Sequence, residues 1–188
     1  MSIEPVHQLK SFTVLDLGRV SGVEGISHCV KLPSHVAQRQ AVSAKEKLNS
    51  GGVSDVNIAI ETYPPDRDPH VAPGSGITLL MKSSSGAIIG ADAIGERGKP
   101  AERVGEEAAL KLLSEIQSKA PVDRHLGDIL IPYMAMAQGR SEISVSEVTM
   151  HTLTNMKVAE IVAGVKFDVR GELKTPGRIS VQGLGLRT

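Results

Sequence analysis

The sequence predicts an α+β fold in which helices cover a sheet. Three observations carry this. Apolar residues alternate at strand spacing in Val56-Ile58-Ile60 and in Val165-Phe167-Val169. Two stretches, residues 34–48 and 100–116, instead repeat apolar residues at helical spacing. From Pro100 onward the order reads helix, helix, strand, helix, strand, strand, which suits helices layered on a sheet. With 188 residues, 40% hydrophobic and 22% charged, the composition is that of a globular chain of one large or two small domains.

Residues 1–10 are polar and irregular and read as a connection. Residues 11–17 alternate Phe12 and Val14 before Leu15 and Leu17, a strand. Gly18 turns the chain, and residues 20–26 can return as the second arm of a hairpin. Pro33 and Ser34 open a helix with Ser34 as its cap; Val36, Ala37, Gln40, Ala41, Ala44 and Leu48 share one face. Residues 56–61 form a half-buried strand. Residues 63–76 hold Pro64, Pro65, Pro69 and Pro73 with Gly74 and Gly76, a long loop. Residues 77–82 and 87–94 flank Ser83-Ser84-Ser85-Gly86 as a hairpin. Pro100 suits the first position of a helix carrying Val104, Ala108, Leu112 and Ile116 on one face. A second helix runs from near Asp123 to Ala137, kinked or broken at Pro132. Two closing strands, around residues 165–169 and 179–181, make a hairpin, and residues 183–188 read as a frayed tail.

Composition excludes several classes. No apolar run approaches the roughly 20 residues that span a bilayer, so no membrane partner is expected. The N-terminus is polar and lacks a signal-peptide core, which points to the cytoplasm. One cysteine, Cys29, permits no internal disulfide. Formal net charge is zero, so any contact with nucleic acid is local. Two tyrosines, two phenylalanines and no tryptophan give little for bases to stack on.

The chemistry centres on residues 146–155, Ser-Glu-Val-Thr-Met-His-Thr-Leu-Thr-Asn. Ile143-Ser144-Val145 reads as a strand end, and Leu153, Met156, Val158, Ile161 and Val162 continue at helical spacing up to Gly164. Thr149 is the N-cap candidate, which places His151 in the first turn. Helix starts offer free N–H groups to a phosphate oxygen, and the positive end of the dipole favours anions and disfavours imidazolium. A neutral histidine beside an anion site is what phosphoryl or nucleotidyl transfer through histidine needs. Taken alone, a histidine there is an ordinary polar residue at a helix start.

The pattern is more specific than that. The stretch Glu147-Val148-Thr149-Met150-His151-Thr152-Leu153-Thr154-Asn155 resembles the histidine motif of RNA 3'-terminal phosphate cyclases. Residues 122–132, Val-Asp-Arg-His-Leu-Gly-Asp-Ile-Leu-Ile-Pro, resemble that family's nucleotide-binding segment. Residues 95–102 are similar to the junction before its next helix, and residues 25–28 and 32–37 to its inserted domain. The resemblance implies a thioredoxin-like insert over residues 11–96. It also implies a core repeat over residues 97–188, two helices on a four-stranded sheet, similar to the C-terminal domain of translation initiation factor three. The family's first two repeats, with a metal-holding glutamate and a triple-glycine signature, have no counterpart in this chain.

The family resemblance implies a reaction in which the histidine takes AMP from ATP, with Mg²⁺ neutralising charge. AMP then passes to an RNA 3'-phosphate, which closes to a 2',3'-cyclic phosphate. Carried over residue by residue, His151 is the nucleophile, and His125, Leu126, Gly127, Asp128 and Ile129 form the nucleotide-binding segment, with Asp128 as the expected polar contact to ATP. Many members carry glutamine where this chain has Ile129, which removes one hydrogen bond. Arg97, Lys99, Arg124 and Lys157 are candidate phosphate contacts. Expected partners are RNA 3'-phosphate ends, and a second chain or second copy in place of the missing repeats. The alternative is an inactive cyclase-like scaffold.

Overall fold

A computed structural model describes residues 7–187. The fold is α+β, and the chain divides into two compact units, Gly18–Gln117 on one side and Met1–Leu17 with Ser118–Thr188 on the other. This division falls at residues 17 and 117, whereas the sequence reading sets boundaries at 10 and 96. The reason lies in two elements. Strand β1 (Thr13–Val14) pairs parallel with β6 (Gln138–Val145), in the register Thr13 with Glu142, rather than forming a hairpin with β2 (Val20–Val30). Helix α2 (Ala101–Gln117) packs on α1 (His35–Ser50), within the first unit. Of the connection expected over residues 1–10, residues 1–6 lie outside the described residues; Gln8 makes a bridge with Arg187.

The unit Gly18–Gln117 holds a four-stranded sheet in the order β3-β2-β4-β5, with β3 at Val56–Thr62, β4 at Gly74–Ser83 and β5 at Ile88–Ile94. β2 and β3 are parallel, as a crossover through α1 requires, and β2–β4 and β4–β5 are antiparallel. Ile77, Leu79 and Met81 on β4 are buried, while Leu80 between them is exposed, so one face is covered and the other open. The helices close on each other because Gly105 has no side chain: a Cβ there would stand 2.1 Å from the Gln40 carbonyl oxygen. Ser34 leads α1 but makes no side-chain cap bond, contrary to its expected role.

The long proline-rich loop is tied to the end of β2 by Asp68. Its carboxylate accepts from the Lys31 amide at 2.6 Å and the His70 amide at 2.9 Å, and lies 2.8 Å from His70 Nδ1. Burial works to raise its pKa, but the hydrogen bonds from Lys31 and His70 outweigh that and hold the carboxyl at about 2.

The second unit is a four-stranded sheet, β1-β6-β8-β7, with β7 at Phe167–Arg170 and β8 at Gly177–Leu184. Helices α3 (Arg124–Met136) and α4 (Met150–Ala163) supply its core: Ile131, Met134 and Met156 pack with Ile143, Val145, Ile179 and Val181. Full burial of each such side chain contributes about 1.5–3 kcal/mol, which makes this cluster the main source of the unit's stability. Gly127 lets α3 approach β6, since a Cβ would fall 2.9 Å from Val145 Cγ1. The tail expected to fray is ordered as far as Arg187: β8 runs to Leu184, and the Leu186 amide donates to the Met136 carbonyl at 3.1 Å. Thr188 lies outside the described residues.

Because the folded-state pKa of Asp68 is depressed, the loop's anchorage is complete above the ordinary carboxylate range and is lost as pH falls through about 2. The amide resonances of Lys31 and His70 should titrate together at that low midpoint. A midpoint at an ordinary aspartate value would remove Asp68 as the anchor.

Candidate functional site

Helix α4 starts where the sequence places it. Thr149 is the N-cap, with extended backbone, and its Oγ1 accepts from the Thr152 amide at 3.0 Å. Thr152 Oγ1 accepts in return from the Thr149 amide at 3.3 Å, which completes a capping box with threonine at both ends. The helix stops at Gly164, whose φ of 68° is the left-handed conformation glycine adopts at no steric cost. His151 is the second helical residue and is exposed. Thr149 satisfies the third amide, so the amides of Met150 and His151 have no partner inside the helix. The helix start thus offers two N–H donors and an imidazole to one acceptor.

The start of α4 is fixed by Asp128, from the second turn of α3. Thr149 Oγ1 donates to Asp128 Oδ1 at 2.7 Å, and Thr152 Oγ1 donates to the same oxygen. Each hydroxyl has one proton and spends it on Asp128, so the 3.0 Å approach of the two hydroxyls is a contact, not a third hydrogen bond. The two threonines flank His151 in sequence, and one carboxylate oxygen therefore sets the turn that presents it.

Pro132 explains a further link. A helix interior residue at 132 would donate its N–H to the Asp128 carbonyl, four residues back, and proline has none. α3 nevertheless continues to Met136, so of the kink or break expected at Pro132 the break does not occur. The orphaned Asp128 carbonyl is taken by Asn155 Nδ2, from α4, at 3.0 Å. Asp128 thus joins the two helices through both its side chain and its backbone.

The rest of the expected segment lies on the first turns of α3. Asp123 caps that helix, accepting from the His125 and Leu126 amides at 2.9 and 2.8 Å. His125 and Ile129 are exposed, Leu126 packs at the edge of the core, and Gly127 is buried against β6. Arg124 pairs with Glu147 at 2.8 Å, which ties the start of α3 to the segment leading into α4. Lys157 stands 3.9 Å from Glu160. Arg97 and Lys99 belong to the unit Gly18–Gln117, where Lys99 pairs with Glu107 at 2.5 Å. Among the described residues, no group of three or more His, Cys, Asp or Glu side chains gathers to hold a metal.

Sequence reading gave no role to Thr152 or Asn155. The signals were present: the spacing Thr149-x-x-Thr152 is a capping box without its usual glutamate, and Pro132 announces an unfilled carbonyl at Asp128. What was missing was the pairing of α3 with α4.

Asp128→Ala should lower stability by about 1–3 kcal/mol in urea unfolding, because two buried-side hydroxyls lose their acceptor. Combined with Thr149→Val, the loss should fall short of the sum of the single losses. Strictly additive losses would show that the two residues are not coupled.

Residues 15–117 match the family model for the insert domain of RNA 3'-terminal phosphate cyclase. The chain is 48% identical over 180 residues to an RNA 3'-terminal phosphate cyclase of Desulfurococcus amylolyticus, covering 95% of this chain and 50% of that protein. It is 44% identical over 181 residues to the cyclase of Ignicoccus hospitalis, with 96% and 51% covered. With the cyclase of Staphylothermus marinus it shares 45% over 188 residues, 99% of this chain and 53% of the relative. The chain thus spans about half the length of the curated relatives it matches.

Proposed function

The chain belongs to the RNA 3'-terminal phosphate cyclase family, and from that premise we propose that it supplies the histidine-bearing half of an ATP-dependent cyclase. In this reading the unit Gly18–Gln117 is a thioredoxin-like insert. The other unit is the last core repeat, similar to the C-terminal domain of translation initiation factor three. The observation that carries the proposal is the placement of His151: exposed, second in a capped helix, where its own amide and that of Met150 have no partner inside the helix.

The reaction balances as two transfers and a closure. An imidazole nitrogen of His151 attacks the α-phosphorus of ATP; the P–N bond forms, the P–O bond to pyrophosphate breaks, and the imidazole loses its proton. An oxygen of the RNA 3'-phosphate then attacks the same phosphorus and displaces the imidazole. The neighbouring 2'-hydroxyl attacks the activated terminal phosphorus, closes the 2',3'-cyclic phosphate and expels AMP. Adenylation turns a poor leaving group into a good one, and the histidine divides a hard step into easier ones. The amides of Met150 and His151 would hold a phosphate oxygen at the helix start. Asp128 acts as a positioning residue, through Thr149 and Thr152, and the His125–Ile129 turn lies on the helix that carries it.

Mg²⁺ belongs to this chemistry through the family resemblance. The described residues do not form a carboxylate cage for it, and Asp128 Oδ1 already accepts two hydroxyls. The substrate is an RNA 3'-phosphate end. The partner is a chain supplying the other half of the relatives' length, or a second copy. An apolar surface supports this: Val158, Ile161 and Val162 on α4, the last two 73% and 81% exposed, and Ile129 and Tyr133 on α3. No described helix is long and apolar enough to cross a membrane. The half-length match also favours a second reading, an interaction scaffold that keeps the fold without turnover.

With ATP labelled at the α-phosphate and Mg²⁺ present, acid-labile label should remain on the chain after denaturing electrophoresis and be absent from His151→Ala. Label that persists in His151→Ala sinks the proposed carrier. An unlabelled wild-type chain would favour the scaffold.

A further inference from the structure

The outermost strands of the two sheets are β1, β7, β3 and β5. An outermost strand leaves a row of backbone N–H and C=O groups free to pair with another chain. Three of these edges are closed off. β1 is two residues long. β7 has four residues, Asp168 and Arg170 among them, and its first amide, that of Phe167, donates to Glu160 Oε1 at 3.2 Å. On β5, Lys111 Nζ donates to the Asp92 carbonyl at 2.9 Å, and Lys99 Nζ stands 3.4 Å from the Ile94 carbonyl.

β3 is the exception. It runs for seven residues with no lysine, arginine, proline or bulge. The Val23 amide donates to the Asp55 carbonyl at 2.8 Å, so the backbone groups of residues 55, 57, 59 and 61 turn toward β2. Those of Val56, Ile58, Ile60 and Thr62 turn outward, and no described residue bonds to them. The side chains are no better guarded. Ile58 and Ile60 share the helix-covered face with Ser27, whose Oγ donates to the Ala37 carbonyl on α1, yet Ile60 stays 42% exposed. Asn57, Ala59 and Glu61 stand on the open face and are exposed.

The strand is complementary to itself. Antiparallel pairing with a second copy, centred on Ala59, sets Ile58 against Ile60, Asn57 against Glu61 and Val56 against Thr62. Ile58 and Ile60 then exchange both backbone bonds, as do Val56 and Thr62, because theirs are the outward groups. The isoleucines meet on the helix-covered face. The strand's one charge, Glu61, meets the Asn57 amide instead of its own copy, so no like charges oppose each other. The Glu61 carboxylate accepts from the Tyr63 hydroxyl and keeps lone pairs for that amide. We propose that β3 is a docking edge for a second copy of this chain, joined antiparallel about Ala59 into one sheet that runs through both copies. The edge is separate from the apolar surface on α3 and α4, and the inference does not rest on the cyclase reading.

The test is sedimentation velocity of the full chain from micromolar to millimolar concentration, where a monomer–dimer equilibrium is expected. Hydrogen exchange at the Ile58 and Ile60 amides should slow as the dimer forms. Ile60→Pro removes an outward N–H and leaves the bonds to β2 in place, and should weaken the dimer about tenfold. Ala59→Lys, at an exposed position on the two-fold axis, sets like charges opposite each other and should weaken it by a similar factor. Ala59→Cys reads the register: a self-paired position outside the hydrogen-bonded pairs holds its Cα atoms about 4.5 Å apart, within disulfide reach. The oxidised variant should therefore run as a covalent dimer on a non-reducing gel. Ile161→Lys, on the exposed part of α4, should leave the β3 dimer intact. The proposal is overturned by a chain that stays monomeric at every concentration, by a dimer indifferent to Ala59→Lys, or by a dimer lost in Ile161→Lys.

Discussion

One carboxylate governs the geometry of the histidine turn. Asp128 accepts from the threonines on either side of His151, and its own carbonyl receives Asn155. These bonds cross between α3 and α4, so the orientation of the histidine turn follows from helix packing rather than from the loop that precedes it. A helix start alone is free to fray. Here its cap is itself hydrogen-bonded to a neighbouring helix, and that helix rests on β6 through Ile131, Met134 and the absent side chain of Gly127.

Much of this was legible in the sequence. The Thr149 cap, the stop at Gly164 and the order of elements from Pro100 follow from local rules, because caps, periodicity and turn residues act within a few positions; the histidine motif was read from its family resemblance. Elements that depend on distant partners were not legible. Residues 11–17 carry strand propensity but no mark that their partner is β6 rather than β2. Helix α2 carries no mark that it belongs with α1 until Gly105 is seen against Gln40. Ser34 has the residue type of a cap and does not act as one, since propensity states what a side chain can do and packing decides whether it does. Pro132 was read as a kink or a break because its own missing bond is local knowledge, whereas the replacement donor, Asn155, sits 23 positions further along, on another helix.

The two units divide their charges and apolar surfaces differently. The unit Gly18–Gln117 pins its long loop with a half-buried aspartate and spends its cations largely on carboxylates. The other leaves Ile161 and Val162 in the open on the helix that also carries the histidine. Helix α4 therefore faces two demands: its start must present polar groups, and its far end presents a surface that water disfavours.

The discontinuity of the second unit bears on how the chain reaches its native state. The bond from the Phe12 amide to Ser141 Oγ closes a separation of 129 residues, and the unit Gly18–Gln117 lies wholly within that span. Closing so long a flexible loop carries an entropic penalty of about 4 kcal/mol or more on the logarithmic law. If the inner unit folds first, the ends that β1 and β6 bring together are joined by a compact body instead of a random coil. The order of assembly is then written into the topology: inner unit early, β1–β6 closure late, with a slow final phase set by that long-range pairing.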